Sequence, residues 1–520
     1  MATTSPVDAA DTELVALRSP TGVALIAATV LASGVASYDA NVVKVAIPAI
    51  GHGLGAGVAA LQWTLTAYLI TVAALLLLSG ALADRFGRRR LVIIGLIGMG
   101  VFSVLCALAP SVGTLIAARA AQGIGAALVV PNSLALVNGT LRGGDRARGI
   151  GIWAGLETLF TTVGPYVGGW LVDQFSWRAV FWLNVPLVLV ALLVLRHVPE
   201  NAVAGRQGPL DLFGALLAVL GLGGVIYALN AGPDSGWLSA PVLVTGIVGV
   251  VALAALVPAE RRRRAPMLRL SLFVSRQFDA INVMTLLYYG ALGAAGYLVI
   301  LQCELRLGYS PAQAGAALIP ESVFFLVLAP VSGAMVKKFG ARWLMVTGTL
   351  LVAGGFFWLA AAHPGQSYAA GILPGVLLWG LGLGVSVTPL TAAVLAAVGD
   401  ADLGEASGVN DASARIGGVV VIALVPVLIG ATGGRSYAHA LATGYLPAMI
   451  VMGVLCVAAA LVTALFVSDA RGGAHRCVPR SPEAGCPVAV PTTTVPSKTG
   501  PAKTGPAKTG PAKTVEAVAL

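Results

Sequence analysis

The sequence predicts an all-α membrane protein: two six-helix bundles with a two-helix hairpin between them, fourteen transmembrane helices in all. Three observations predict it. Fourteen stretches are each long and apolar enough to cross a bilayer. Charged residues are 10% of the chain, against about 25% in soluble domains. Almost every Lys or Arg falls in the short segments between the apolar runs. A helix needs about 20 apolar residues to span the ~30 Å hydrocarbon layer. With 57% apolar residues and a mean hydropathy of +0.89, the chain carries more apolar surface than a soluble core explains.

In chain order the expected spans are 21–48, 59–81, 91–110, 112–138, 149–172, 179–195, 210–229, 238–259, 279–301, 311–335, 343–362, 368–398, 407–430 and 445–467. Residues 1–20 carry Asp8, Asp11, Glu13 and Arg18 and lack a basic n-region and a small-residue cleavage site. They are therefore expected to be a retained N-terminal segment rather than a removable signal peptide. Residues 21–196 make the first bundle. Residues 197–278 make a linker and the central hairpin (210–229 and 238–259), set off by basic or Pro/Gly-containing connections at 196–209 and 260–278. Residues 279–467 make the second bundle. Residues 468–520 turn to Pro, Thr, Lys and Gly, with GPAKT repeated at 500–504, 505–509 and 510–514, a low-complexity composition expected to be disordered.

Orientation follows from basic residues in short loops. Eighteen lie on one side, from Arg85, Arg88, Arg89 and Arg90 through the Arg261–Arg264 run to Lys337, Lys338 and Arg342, against Arg178, Arg306 and Arg435 on the other. Both termini are thus expected in the cytoplasm and the chain in the inner (plasma) membrane. The formal charge of +10 reads as a topology signal, with anionic membrane lipid as a partner and no nucleic acid. Five cysteines, Cys106, Cys303, Cys456, Cys477 and Cys486, are spaced for neither a disulfide framework nor a metal site. A faint repeat links the bundles. Gly80-Ala-Leu-Ala-Asp84-Arg85-Phe86-Gly87-Arg88-Arg89-Arg90 follows the second helix, and Gly333-Ala-Met-Val-Lys337-Lys338-Phe339-Gly340-Ala-Arg342 follows the tenth. Repeated halves are a common transporter architecture.

The first of these loops resembles motif A of the major facilitator superfamily. A cytoplasmic loop would carry arginines in any case, but not Asp84 together with Gly80 and Gly87. Three further stretches extend the resemblance. Arg119-Ala-Ala-Gln122-Gly123-Ile-Gly125-Ala126 is similar to motif B. Gly164-Pro165-Tyr-Val-Gly168-Gly169, followed by Trp177-Arg178 and Asn184-Val185-Pro186, is similar to the antiporter motif. Tyr38-Asp39-Ala-Asn41-Val-Val-Lys44 through Pro48 is similar to the first-helix motif of the fourteen-helix drug:proton antiporter branch. The resemblance implies a conformational latch at Gly80, Asp84, Arg85, Gly87 and Arg88, one-sided because Lys337 stands where Asp84 does in the first copy. It also implies a bent, tightly packed fifth helix at Gly155, Gly164, Pro165, Gly168 and Gly169. Gly151/Gly155 and Gly164/Gly168 are each four apart and so share a face.

A charge at mid-bilayer costs about 2.5–3.5 kcal/mol on the insertion scale, so each carboxylate there needs a partner, a wet cavity or a proton. Asp39 matches the acidic first-helix position of the family and is the first choice for proton coupling, unless it is simply solvated at the outer interface. Arg119, about 10 Å down the fourth helix at 1.5 Å per residue, is either its partner or a structural tie. Asp411 and Arg415 are four apart and can pair locally; Asp411 is also the second proton-coupling candidate. Glu157, Glu321 and Arg415 are candidates for the substrate cavity, and the two glutamates, which depart from the family pattern, fit either a cationic substrate or a polar helix contact. Lys44, where the family has Asn, either snorkels outward or biases the cavity away from cations. Trp63, Tyr68, Tyr288, Tyr289, Phe324, Phe325 and Trp379 serve either as stacking surfaces or as packing and interface anchors.

The expected function is proton-coupled efflux of amphipathic organic compounds, drugs or antibiotics, by alternating access in a monomer. Export of an endogenous lipid, siderophore or secondary metabolite fits the same motifs. A non-transporting receptor would not need Asp84, Asp39 and Arg119. The sequence holds no H-E-x-x-H, no G-x-S-x-G and no Walker A loop, so no enzyme activity, cofactor, metal or ATP motor is expected. The drive must be an ion gradient.

Overall fold

A computed structural model describes residues 14–200, 211–263, 270–399, 403–431 and 437–469. The expected tail falls almost wholly outside them. Their regular structure is helical apart from one isolated bridge between Val15 and Leu141. The first helix, α1 (Pro20–Leu54), starts where Ser19 accepts a hydrogen bond from Gly22 N and Pro20 occupies the first turn; it ends at Gly55, whose φ of +60° suits glycine. Then come α2 (Val58–Phe86), α3 (Arg88–Ala107) and α4 (Val112–Thr140), the last opened by a capping box between Ser111 and Thr114. Next are α5 (Gly143–Gln174), a short α6 (Ala179–Trp182) and α7 (Asn184–Leu195).

α8 (Leu212–Ser235), capped by Asp211, and α9 (Ala240–Arg262) pack against each other. After a 3-10 turn at Leu270–Val274 follow α10 (Arg276–Leu305), α11 (Pro311–Ala316), α12 (Ile319–Phe339), α13 (Ala341–Ala360), α14 (Tyr368–Gly371), α15 (Leu373–Ala396), α16 (Leu403–Leu428) and α17 (Tyr437–Phe466).

Among the described residues, twelve helices are long and apolar enough to cross a membrane, where the sequence reading expects fourteen. The fifth and sixth expected spans account for the difference. α5 is 32 residues long, but Asp145, Arg146, Arg148, Glu157, Asp173 and several threonines lower its hydropathy. The sixth is short and broken at Leu183 into α6 and α7. Two other expected spans are also interrupted. Residues 311–335 divide into α11 and α12 around Ala317 and Leu318, and 368–398 begins with the single turn α14.

Neighbour relations repeat along the chain. α1 packs on α5 and α7, α2 on α4, and α3 on α4 and α7. In the same order α10 packs on α16 and α17, α12 on α15, and α13 on α15 and α17. α8 lies outside both sets and rests on α2 and α16 through a small apolar cluster that includes Leu222, Ile226, Ile70, Val419 and Ala423. Asn230 Nδ2 donates to Thr66 Oγ1 at 3.1 Å, tying α8 to α2.

Candidate functional site

Asp39 is fully buried on α1, which excludes a solvated place at the interface. A carboxylate in that setting must be paired and hydrogen-bonded, and α4 and α7 supply the partners. Arg119 Nη1 on α4 donates to Asp39 Oδ2. Gln122 Nε2, three residues further along α4, donates to Oδ1 at 3.0 Å, and Asn184 Nδ2 at the start of α7 donates to the same oxygen at 2.7 Å. Both amides also donate to Ser103 Oγ on α3, at 2.7 and 2.9 Å.

The guanidinium is held just as fully. Arg119 Nη1 donates to Gln122 Oε1 at 2.7 Å and Nε to Thr64 O on α2 at 3.3 Å, while the Tyr68 ring lies 4.3 Å away in cation–π geometry. Gln122 and Asn184 stand in the sequence motifs, but their bonds to Asp39 have no sequence signal beyond the spacing that puts Arg119 and Gln122 on one face.

A cavity of about 460 Å³ lies between the two helix sets. α1 contributes Asn41 and Lys44, α5 Thr158, Thr161, Thr162 and Pro165, α10 Tyr289, α12 Glu321 and Phe325, α15 Trp379, and α16 Arg415. Lys44 therefore faces the cavity rather than the outer surface. Its Nζ donates to Asn41 Oδ1 at 3.0 Å, and Glu321 accepts from Ser322 Oγ at 2.9 Å. Asp39 and Arg119 do not line this cavity. α1 carries both sites because Lys44 follows Asp39 by five residues, about 140° around the helix.

Glu157, expected at the cavity, is not among its lining residues. The cavity face of α5 runs Thr158, Thr161, Thr162, Pro165 at helical spacing, and Glu157, one residue off that face, instead accepts from Ser37 Oγ on α1 at 2.8 Å. Asp411 accepts from Arg415 Nε at 3.0 Å. It lines a second cavity of about 200 Å³ that shares Tyr289 and Ala414 with the first. Of the aromatic candidates, Tyr289, Phe325 and Trp379 reach the main cavity. Tyr68 lies under Arg119, Tyr288 bonds Ser386 at 2.8 Å, and Trp63 stacks at a tilt on Tyr227.

The glycines of α5 separate by their surroundings. A methyl group at Gly168 would lie 1.9 Å from Val42 Cγ2, so the close packing of α5 on α1 there calls for glycine, while one at Gly164 would make a tight contact of 3.2 Å with Tyr38 Cδ2. Gly169 is equally crowded by Pro311 O at 2.2 Å, and from the other side Gly315 of α11 by Pro165 O at 2.3 Å. Asp173 Oδ2 fastens this α5–α11 seam by accepting from Ser310 Oγ at 2.8 Å and Ala312 N at 3.1 Å. Gly151 and Gly155 share the four-residue spacing but meet nothing within 4 Å, so the close packing expected at them is absent.

In the loop expected to latch, Gly87 has φ +95° and forms the α2–α3 turn. Glu200 covers it and accepts from Arg89 N at 3.1 Å. The second copy is built alike: Gly340 has φ +80°, and Asp469 covers it and accepts from Arg342 N at 2.9 Å. Arg88 Nη1 donates to Ala135 O at 3.0 Å, and Arg85 lies over the Phe86 ring at 5.6 Å. Gly80 is expected at a close approach, yet among the described residues a methyl group there would meet nothing within 4 Å. The side chain of Asp84 lies outside the described residues.

Residues 29–275 and 281–507 match the family model described as Major Facilitator Superfamily. The chain is 34% identical over 410 residues to the multidrug resistance protein Stp of Mycobacterium tuberculosis, covering 78% of this chain and 76% of that one. It belongs to the Major Facilitator Superfamily. Another facilitator relative, the methylenomycin A resistance protein of Streptomyces coelicolor, is 34% identical over 427 residues, 79% of this chain and 86% of that one. The facilitator fold is also seen in the solved D-xylose-proton symporter, which aligns with a TM-score of 0.64 at 18% identity over 87% of this chain and 99% of that one.

Proposed function

We propose that this facilitator exports amphipathic organic compounds across the plasma membrane in exchange for protons, by alternating access. The observation that carries this reading is the cavity between the two helix sets, lined by charged and aromatic side chains, with a fully buried carboxylate on the same helix, α1, facing the other way. A proton reaching Asp39 removes its charge and loosens its hold on Arg119, Gln122 and Asn184, and α1 transmits that change to Asn41 and Lys44 in the cavity. The relatives named for multidrug and methylenomycin A resistance support drugs or antibiotics as cargo.

The repeated neighbour pattern supports two bundles that rock about the cavity, with α8 and α9 as the intervening hairpin and α5 and the α6–α7 pair completing fourteen spans. Both termini are then cytoplasmic, the α5–α11 seam closes the outer side, and the unit works as a monomer in contact with anionic lipid. The membrane potential adds about 2.3 kcal/mol per charge per 100 mV to the drive.

The test uses inverted vesicles holding an acidic interior reported by a pH-sensitive dye, challenged in turn with a cationic, an anionic and a zwitterionic amphipath. At least one compound should discharge the gradient through the wild-type protein. None should do so through Asp39→Asn, at equal expression and with a folded melting profile. If no compound discharges it through the wild type, the export reading fails; if Asp39→Asn matches the wild type, Asp39 leaves the mechanism.

A further inference from the structure

We propose that the cavity recognises zwitterions, amphipathic compounds with a carboxylate that pairs with Lys44 and an ammonium that pairs with Glu321. This deepens the export reading and rests on it. Among the described residues, three ionisable side chains of fixed charge type line the cavity: Lys44, Glu321 and Arg415. Arg415 already has a counter-ion, since its Nε donates to Asp411 Oδ2 at 3.0 Å. Asp39 and Arg119 neutralise each other outside the cavity. Glu157 is turned toward Ser37.

That leaves one basic and one acidic group whose hydrogen-bond partners among the described residues are neutral, the Asn41 amide for Lys44 and the Ser322 hydroxyl for Glu321. No ion pair joins the two: Lys44 stands on α1, in the first helix set, and Glu321 in the first turn of α12, in the second. Both side chains are partly exposed to the cavity and no ion pair closes between them, so each is open to a ligand group of opposite sign. A lipophilic cation would satisfy Glu321 while facing Lys44 with like charge, and an anion would do the reverse. A molecule with both charges satisfies both walls. Tyr289, Phe325 and Trp379 supply the apolar surface for its body. Because the two groups belong to different helix sets, such a ligand also bridges the parts that must move during alternating access.

The test is a fluorescence titration of the purified full-length protein in nanodiscs with three matched probes. Nε-dansyl-lysine is zwitterionic, its methyl ester is cationic, and its Nα-acetyl derivative is anionic. On the wild type the zwitterion should bind about tenfold or more tighter than either, because a hydrogen bond to a charged group is worth a decade or more of affinity. Lys44→Met should abolish its advantage over the ester while keeping that over the acetyl derivative, and Glu321→Gln should do the opposite. Lys44→Arg should keep the wild-type order.

The wild-type order needs no variant and can overturn the proposal alone. It falls if the ester or the acetyl derivative binds as tightly as the zwitterion, or if none of the three binds. It also falls if each substitution weakens all probes equally, as a purely structural tie between Lys44 and Glu321 would. A cationic amphipath that discharges the vesicle gradient while the zwitterion neither binds nor does so would sink this proposal and leave the export reading standing.

Discussion

Replacing Gly169 by alanine should prise open the α5–α11 seam. The new methyl group would sit 2.2 Å from Pro311 O and 2.4 Å from Pro311 C, both backbone atoms with no rotamer to yield. Ordinary contact needs the two helices to separate by about 1 Å, in an interior packed at crystal-like density. Gly315 cannot give ground, because its own Cα face lies against Pro165 O. The shift also stretches the bonds from Ser310 Oγ and Ala312 N to Asp173. Overpacking of this kind costs about 1–3 kcal/mol, which moves an equilibrium between closed and open seam by about 5- to 150-fold. The assay places a single cysteine at Thr162, a cavity position, in a cysteine-free background and measures labelling by a membrane-impermeant maleimide added outside right-side-out vesicles. Gly169→Ala should label about fivefold or more faster than its parent. Gly151→Ala, on the same helix with nothing within 4 Å, should not. Equal rates in the two variants would refute the claim that this seam holds the outer side shut.

Three further outcomes follow from the same geometry. Arg119→Met leaves Asp39 buried without its counter-ion, a loss of about 3–5 kcal/mol for a broken buried pair; the melting midpoint in detergent should fall well below that of Arg178→Met, whose parent side chain stacks on Trp177 at 4.2 Å. Gly87→Ala forces a side chain into φ +95° and onto Glu200 Oε1 at 2.6 Å; with backbone strain of about 1–3 kcal/mol, it should speed limited proteolysis at the α2–α3 turn, whereas a change confined to the α13–α15 connection would contradict the assignment. Asn230→Leu removes the α8–α2 hydrogen bond and should cost only about 0.6 kcal/mol, the usual value for such bonds between membrane helices, detectable as a slight drop in melting midpoint.

Hydropathy and basic loops are local properties, so most spans, their order and the repeat between Gly80 and Gly333 stand in the sequence. The break at Leu183 and the gap around Ala317 and Leu318 are invisible to hydropathy, because the residues there are as apolar as their neighbours; their sequence mark is Pro186 and Pro320, which cannot donate to the carbonyls of Trp182 and Ala316, where α6 and α11 end. Asp39 and Arg119 were legible as residues in need of a partner, since a lone charge in hydrocarbon is untenable. Arg119 as the partner of Asp39 was one of the readings, but the amides that complete the pairing were not: Gln122 and Asn184, both also donating to Ser103, reach Asp39 from helices that meet only in the folded chain.

Identical spacing gave opposite results in α5, where Gly164 and Gly168 are pressed against α1 while Gly151 and Gly155 face open space. Adjacent residues likewise diverged, Thr158 entering the cavity and Glu157 turning to Ser37. By itself the sequence determined that this chain lives in a membrane as apolar helices joined by basic loops, because transfer to hydrocarbon is decided residue by residue. Only the tertiary structure decided which charges meet each other and which are left facing the cavity. A helix turns about 100° per residue, and the outcome depends on what the neighbouring helix presents to each face.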